Sequence, residues 1–481
     1  MKHYLIRIFT LSLLLISIST IAQKNSYDIQ VKLDNYSDSS LMLVTYYGSS
    51  NKIVDTADVL ANGKFEFKGN KALVGGMYLV VLKDKSYFEI IIDKDQNFSL
   101  ETDANDMVGK MKIKGSQDNT DFYNLMFFMN KLQEKRSVLE KEFKETEEDP
   151  KKHSEIEQKL RDLGKEADDY KYKYMDENPD ALFSIILKAS KEPEIPTELP
   201  MKEDGTLDST YIYRYYRAHF FDNFDFADER LLHTRFYAQK IKKYWTKIIP
   251  QVPDTLTKEA IRIIELAKPN KETYKYTIWY FTYAAETSNI MGMDAVFVDL
   301  GKKYYLTGEA YWVSDHIIKN MTERINTLDR LLIGKQAGNM IMQNTDFKLV
   351  SLHEVEANYT IVLFWDPDCG HCKHEIPRVK KWVDENGEKY GVKVYSVCSD
   401  TNVVKWKKSI KDFQIESWIN VDGPRSITPN YHDLYDIIST PTIYLLDDKK
   451  NILAKRLSDA QVVAFIERDF KAKKKSEKEK E

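Results

Sequence analysis

Cysteine is scarce in this chain of 481 residues: there are three, of which Cys369 and Cys372 are close together and Cys398 stands alone. So few cysteines in a long chain exclude a disulfide scaffold, because such scaffolds are short and rich in cysteine. Glycine and proline are also sparse, at 18 and 13 residues, which excludes collagen-like and linker-rich architectures. Neither sign of charge predominates, since 71 Lys and Arg oppose 75 Asp and Glu for a net charge of −4. A nucleic-acid partner is therefore not expected, because such proteins carry a basic surface.

Apolar and aromatic side chains are plentiful. Hydrophobic residues make up 42% of the chain, and 30 Tyr and 22 Phe are among them. This composition excludes wholesale disorder and supplies material for several cores. At about 150 residues per domain, the length predicts roughly three domains.

Long hydrophobic runs are absent after the first 22 residues. Lys2 and Arg7 precede an apolar stretch, residues 8–18, that is too short to span a bilayer. Thr20 and Ala22 then provide small residues of the kind that signal peptidase recognises. We therefore expect a signal peptide over residues 1–22 and a mature protein that is exported to the periplasm or cell envelope and does not span the membrane. A short N-terminal membrane anchor is the alternative interpretation.

Two regions without cysteine follow. Residues 23–115 alternate apolar and polar side chains with a period of two, which predicts about seven short antiparallel strands in an all-β sandwich or barrel. Residues 116–335 show helical periodicity throughout, with a first helix opened by Asn119. An aromatic stretch from Tyr213 to Phe226 is predicted to be core, and a binding groove is the alternative.

An α/β domain is predicted over residues 336–471. Residues 359–365 and 392–397 are short apolar runs typical of strands buried on both faces of a parallel sheet, and each precedes a helical stretch. A hairpin and a last helix complete the pattern. The charged tail, residues 472–481, is expected to be frayed and solvated.

The segment Cys369-Gly370-His371-Cys372 follows a buried strand directly and opens a helix. The thiolate is the nucleophile in disulfide exchange, and the unpaired N–H groups and partial positive charge of a helix N-terminus lower a thiol pKa. Three-residue spacing places both cysteines on one face, so Cys369 would attack and Cys372 would resolve the mixed disulfide. His371, when protonated, would further stabilise the Cys369 thiolate.

Other roles for the cysteines fit the sequence less well. A structural disulfide closing so short a loop would stabilise little. A zinc site using Cys369, Cys372 and His374 lacks a second ligand pair, and haem attachment would need His where Lys373 stands. Cys398 ends a buried strand and is expected to act as a small hydrophobe rather than as a third redox group. No cofactor and no metal are expected.

The segment from Phe364 to Lys373 resembles the active site of the thioredoxin superfamily. Pro377 matches the proline that kinks the family's first active-site helix, and Ser439-Thr440-Pro441 stands where the family has its cis-proline loop. Residues from about Gly334 onward are similar to exported thiol–disulfide oxidoreductases of the TlpA/ResA and AhpC/TSA-like group. The resemblance implies that Thr440 and Pro441 present backbone to an extended substrate. The first two regions resemble, more loosely, domains of unknown function that precede thioredoxin modules in envelope proteins.

The chain departs from the family at three positions. Asp368 replaces the Trp that commonly precedes the first cysteine, and Leu363 stands where thioredoxins carry a buried carboxylate. Proton transfer would therefore fall to Glu375, Asp366 or water. Asp366 also occupies the position where a peroxidase of this group would need Thr, which argues against peroxidase chemistry.

The sequence thus predicts an exported thiol–disulfide oxidoreductase that reduces or isomerises disulfides in envelope proteins. Its expected partners are protein disulfides and a membrane thiol reductase that supplies electrons. The alternative is a ligand- or partner-binding envelope protein in which the thioredoxin domain is accessory.

Overall fold

A computed structural model describes residues 26–60 and 63–479, so the predicted signal peptide lies outside the described residues. The chain forms two compact units. The first extends to Ile249 and includes Ile263–Tyr276, and the second contains Pro250–Arg262 and the chain from Thr277 onward. Among the described residues, no helix is both long enough and apolar enough to cross a membrane.

The first unit begins with eight strands. They are β1 (Tyr27–Asp34), β2 (Ser40–Tyr47), β3 (Ser50–Asp58), β4 (Lys64–Gly69), β5 (Gly76–Val81), β6 (Tyr87–Ile92), β7 (Asn97–Asp103) and β8 (Lys112–Lys114). Every second side chain of β1, from Tyr27 to Leu33, is buried, as expected for a strand with one face on a core. The alternation therefore predicted β1 correctly, and eight strands are present among the described residues of this region where about seven were expected.

The strands form two four-stranded sheets, with the orders β4-β1-β7-β8 and β3-β2-β5-β6. The expectation of an entirely antiparallel region was wrong in one place, because β1 and β7 are parallel, with Asp28 opposite Asn97. These two strands are far apart in sequence and no tight turn joins them, so nothing forces an antiparallel pairing.

Helices make up the rest of the first unit, together with one π-helical turn at Tyr244–Ile248. They are α1 (Gln117–Glu145), α2 (Pro150–Glu177), α3 (Leu182–Ser190), α4 (Tyr211–His219), α5 (Glu229–Leu232) and α6 (Arg235–Lys243). Two further helices, α7 (Pro253–Ala267) and α8 (Lys271–Glu286), include residues of both units.

Helix α1 begins two residues earlier than Asn119, and Ser116 is its N-cap. Asn119 is fully buried and bonds to the backbone of Ile91 in β6, at 2.7 Å from the Ile91 N–H and 2.6 Å to its carbonyl oxygen. Asn119, which was expected to open helix α1, instead connects this helix to the sheet, because its side-chain amide satisfies the buried N–H and carbonyl groups of Ile91.

The aromatic stretch between Tyr213 and Phe226 belongs largely to the core. Phe220, Phe224 and Phe226 are buried and contact one another or Tyr244, which confirms the prediction for these residues. Tyr213 is exposed, and α4, on which it lies, has no buried residue.

The second unit contains a seven-stranded mixed sheet with the order β10-β9-β13-β12-β11-β14-β15. Its strands are β9 (Ile341–Asn344), β10 (Leu349–Ser351), β11 (Tyr359–Trp365), β12 (Val392–Cys398), β13 (Ile419–Ser426), β14 (Thr442–Leu446) and β15 (Ile452–Lys455). Its helices, besides the part of α7 and α8 that it includes, are α9 (Met293–Leu300), α10 (Asp315–Asp329), α11 (Gly370–Tyr390), α12 (Val403–Asp412), α13 (Tyr431–Tyr435) and α14 (Asp459–Lys478).

Strand β11 lies inside this sheet, parallel to β12 and antiparallel to β14. Its seven residues are all buried. Leu363 packs in one core with residues of α11 and α14, whereas Phe364 packs in a second core with Tyr435 and Met340. Both faces of the sheet are therefore covered, which confirms the predicted strand and the α/β thioredoxin fold.

Helix α14 continues to Lys478, so the expectation of a frayed tail was wrong for residues 472–478. The charged residues here are spaced one turn apart, and Lys473 pairs with Asp469 at 2.8 Å. Such pairs support an exposed helix. The sequence also gave no sign of the β9–β10 hairpin or of α13.

Candidate active site

Strand β11 brings Cys369 to the carboxyl edge of the sheet. After Trp365 the chain forms a short turn in which the Cys369 N–H donates to the Asp366 carbonyl at 3.1 Å. Helix α11 starts at Gly370, and Cys369 is its N-cap. A side chain at the N-cap faces the unpaired N–H groups of the first turn. The thiol of Cys369 is therefore placed where a thiolate is stabilised.

Two hydrogen bonds define the environment of the Cys369 thiol. The Cys372 N–H donates to Cys369 Sγ at 3.4 Å, and the thiol donates to the Thr440 carbonyl oxygen at 3.1 Å. Burial alone would raise the pKa of the Cys369 thiol. Hydrogen bonds from Cys372, the Thr440 side chain and the His371 backbone outweigh burial and lower this pKa below its ordinary value.

The other two cysteines are fully buried. Burial is the main cause that raises the pKa of Cys372 to about 12 and the pKa of Cys398 to about 12. Cys398 lies opposite Trp365 in the pairing of β11 with β12 and belongs to the same core as Cys372. These positions agree with a resolving thiol behind Cys369 and with the expected hydrophobic role of Cys398.

This difference in pKa predicts the order of alkylation. When the reduced, folded protein is treated with iodoacetamide at neutral pH, Cys369 should be labelled first, and Cys372 and Cys398 should stay largely unlabelled, because only a thiolate reacts. Peptide mass mapping of quenched samples measures the order, and denatured protein, in which all three should react, is the control. Equal labelling of the three in folded protein would contradict the geometry.

The loop opposite the cysteines contains Thr440 and Pro441, and the peptide bond between them is cis. Both side chains are partly exposed, and strand β14 begins at the next residue. The structure thus brings together Cys369, Cys372 and Thr440, which are far apart in sequence.

His371 and Pro377 lie on α11. His371 is exposed, and Pro377 is inside the helix, as expected. The backbone of His371 contributes to the lowered pKa of Cys369.

Glu375, one turn after Cys372, is half-buried beside the start of α14. Burial and the carboxylate of Asp459 raise the pKa of Glu375, although its carboxylate accepts a hydrogen bond from the Asp459 N–H and His371 lies near enough to oppose the rise. A carboxyl group with a raised pKa is suited to carry a proton near neutral pH. Among the expected proton-transfer groups, Glu375 is therefore favoured over Asp366.

The two aspartates before Cys369, Asp366 and Asp368, both have hydrogen-bond or ion-pair partners. Asp366 accepts hydrogen bonds from the Ser399 hydroxyl at 3.0 Å and from the Asp368 N–H at 2.7 Å. Asp368 pairs with Lys405 of α12, and Lys405 also pairs with Asp400 at 2.9 Å. Sequence reasoning missed Lys405, because no motif or spacing connects it to the cysteines.

The structure offers no support for the zinc alternative. His374 is exposed on α11. Within residues 26–60 and 63–479, no three His, Cys, Asp or Glu side chains are grouped so that they could hold a metal ion.

The fold defines the class: the second unit contains a thioredoxin-like domain. Residues 333–455 match the AhpC/TSA family. Residues 27–122 match a domain of unknown function, DUF4369. The resemblance noted from the cysteine segment and the proline loop is confirmed.

Curated relatives are thiol–disulfide oxidoreductases. The thiol-disulfide oxidoreductase ResA of Bacillus cereus (strain ZK / E33L) is 21% identical over 131 residues, which are 27% of this chain and 73% of that protein. ResA of Bacillus subtilis (strain 168) is 21% identical over 120 residues, 25% of this chain and 64% of that protein.

Solved structures are similar as well. A domain of a possible thiol-disulfide isomerase from Cytophaga hutchinsonii is 36% identical, with 30% of this chain and 97% of that chain covered and a TM-score of 0.28. A thioredoxin-like protein from Bacteroides caccae is 19% identical, with 57% and 99% covered and a TM-score of 0.44.

Proposed function

We propose that this chain is an exported thiol–disulfide oxidoreductase that reduces or isomerises disulfides in proteins of the cell envelope. One observation carries the proposal: Cys369 Sγ lies at the start of α11, 3.4 Å from the Cys372 N–H, with a lowered pKa, while the Cys372 thiol is buried behind it. A partly exposed nucleophile and a protected resolving thiol are what reversible dithiol chemistry requires.

In the reductive direction the reaction has two steps. The Cys369 thiolate attacks one sulfur of the substrate disulfide, a mixed disulfide forms, and the other substrate sulfur leaves as a thiolate that takes up a proton. Cys372 then loses its proton and attacks Cys369 Sγ, which releases the second substrate thiol and leaves a Cys369–Cys372 disulfide. Two electrons pass to the substrate. In isomerisation the released substrate thiolate attacks a different substrate disulfide, forms a new disulfide with one of its sulfurs and frees the other as a thiolate. That thiolate then attacks the substrate sulfur of the mixed disulfide, and Cys369 leaves as a thiolate with no net transfer of electrons.

Other residues have supporting roles in this proposal. The backbone of Thr440 and Pro441 pairs with an extended segment of the substrate. His371 tunes the stability of the Cys369 thiolate, and Glu375 accepts the proton that Cys372 loses. Export rests on the basic and apolar start of the chain, residues 1–22, and the electron donor is a membrane thiol reductase.

Turnover of insulin disulfides in the presence of dithiothreitol tests the activity. The wild-type chain should accelerate the reaction, and Cys369→Ala should reduce the rate to that of dithiothreitol alone, because no nucleophile remains. Leu363→Val, a small change in the core behind the site, is the control for folding. A Cys369→Ala protein as fast as the wild type would contradict the proposal and favour a binding protein in which the thioredoxin domain is accessory.

A further inference from the structure

A cavity of about 650 Å³ lies within the second unit. Its walls come from the end of α8, the loop after it, α9, α10, the strands β14 and β15, and α14. Cys369, Cys372 and Thr440 do not belong to its lining. Cavities of this volume commonly hold small molecules, so the second unit has room for a ligand apart from the cysteines.

Helix α14 presents one face to this cavity. Four of its residues line the cavity at successive intervals of three, one and three positions, which is the spacing of a single helix face. They are Gln461, Ala464, Phe465 and Arg468. One wall of the cavity is therefore a regular helix face, which holds its side chains more precisely than a loop would.

The inner end of the cavity is apolar. Leu328, Leu331 and Tyr444 line it and are at most 4% exposed. The Tyr444 hydroxyl already donates to a backbone carbonyl oxygen at 2.7 Å, so only its ring is left for a ligand. The ammonium group of buried Lys455 is occupied as well, because it donates to the Leu331 carbonyl oxygen and pairs with Asp294. A ligand would therefore meet apolar contacts at this end.

Three carboxylates also line the cavity, and each already has a basic partner. The pairs are Asp294 with Lys455, Asp436 with Arg324 at 2.7 Å and with Arg456, and Glu286 with Arg324 at 3.6 Å. Paired carboxylates offer little attraction to a cationic ligand. Since four basic side chains line the same cavity, one positive charge is left over.

The remaining cation is Arg468. Its guanidinium forms no salt bridge with any described residue and lies 5.4 Å from the centre of the Phe465 ring. Arg468 is exposed, and so is Arg456, whose pair with Asp436 uses one nitrogen of the guanidinium. These two arginines therefore place unused N–H donors at the mouth of the cavity, away from its buried apolar end.

We propose that this cavity binds a small amphipathic monocarboxylate, whose carboxylate pairs with Arg468 and Arg456 and whose apolar body fills the inner end. Guanidinium and carboxylate groups form charge-assisted, bidentate hydrogen bonds. A phosphate monoester carries nearly two negative charges at neutral pH, which exceeds the single unpaired cation. Contact with the apolar end removes ligand and protein surface from water and adds affinity.

Decanoate is a suitable probe, because it combines one carboxylate with an apolar chain. Isothermal titration calorimetry at low ionic strength compares its binding to the purified chain with the binding of decylammonium and of acetate. Decanoate should bind at one site and at least about tenfold more tightly than the other two. Decylammonium has the same chain with the opposite charge, and acetate has the carboxylate without the chain, so each lacks one of the two interactions.

Variants of the lining test the position of the site. Arg468→Gln should weaken decanoate binding about fivefold, because the unpaired cation is lost, and added salt should reduce this difference. Ala464→Trp should weaken it at least about tenfold, because the indole fills the cavity while the charges stay. Arg136→Gln is the matched control: Arg136 is exposed on α1 and does not line the cavity, so the same change in net charge should leave the affinity unchanged.

The inference fails if decanoate does not bind, or if decylammonium or acetate binds as tightly. It also fails if Arg468→Gln or Ala464→Trp keeps the wild-type affinity, because the ligand then lies elsewhere. An equal loss of affinity in Arg136→Gln would show that net charge, and not the cavity, governs binding. A chain that turns over insulin but binds no decanoate loses this site alone, since Cys369 does not belong to the lining.

Discussion

A Cys372→Ser variant should accumulate a mixed disulfide between Cys369 and its substrate and should lose catalytic turnover. In the native chain the Cys372 thiol lies in the core one turn behind Cys369, fully buried and with a pKa raised to about 12 by burial. It can therefore resolve the intermediate but compete poorly for the first attack. When Ser takes its place, the mixed disulfide has no internal nucleophile and persists.

Mixing the reduced variant with insulin and analysing the products by non-reducing electrophoresis and mass spectrometry measures this intermediate. The adduct should map to Cys369 and disappear with excess dithiothreitol. Cys398→Ala is the matched control, because Cys398 is as buried as Cys372 but ends β12, whereas Cys372 lies in the first turn of α11. This variant should turn over insulin and trap nothing. An adduct on Cys398, or none on Cys369, would exclude the assigned order of attack.

Replacing Lys405 by Met should lower the reduction potential of the Cys369–Cys372 couple. Lys405 offsets the charge of Asp368, the neighbour of Cys369, and of Asp400. Without it, the two carboxylates disfavour the Cys369 thiolate and thus the reduced form. A tenfold weaker stabilisation of the reduced form would lower the potential of this two-electron couple by about 30 mV. Asp368 is 75% exposed, so salt should weaken the effect.

Redox titration against glutathione at low ionic strength measures the shift. Adding Asp368→Asn to Lys405→Met should restore most of the wild-type potential, because both charges of the ion pair are then absent. Lys408→Met, an exposed lysine one turn along α12, is the control and should leave the potential unchanged. A potential that is unchanged or higher in Lys405→Met would show that α11 alone sets the thiolate stability.

The same titration addresses His371. If the imidazolium of His371 and the helix N-terminus outweigh the aspartates, the couple should lie near roughly −200 mV, in the range of isomerase-like proteins. His371→Pro should then lower the potential. Adding Asp368→Asn to His371→Pro should change the potential only as much as Asp368→Asn changes it in the wild type. In the structure a second basic side chain, Lys405, also affects the stability of the Cys369 thiolate, and the backbone of the helix contacts the Cys369 thiol directly.

Local patterns were enough to predict most of the second unit. An apolar run followed by Cys369-Gly370-His371-Cys372 predicted strand β11 and the start of α11, because burial on both faces and capping are properties of short segments. Thr440 and Pro441 were expected opposite the cysteines from the family resemblance, and they are there. The alternation of β1 predicted a strand with one buried face. The domain boundaries after residues 115, 335 and 471, and the signal peptide, stay predictions.

The sequence by itself therefore determined the class of fold and singled out Cys369 and Cys372 as the predicted reactive pair, because the strand, the helix start and the cysteine spacing are properties of short segments. Only the tertiary structure decided what surrounds that pair. Lys405 reaches Asp368 and Thr440 reaches Cys369 across separations of 37 and 71 residues, and no periodicity encodes such contacts. The parallel pairing of β1 with β7 is a contact of the same kind. Such contacts depend on which distant segments the fold brings together, and that is a property of the whole chain.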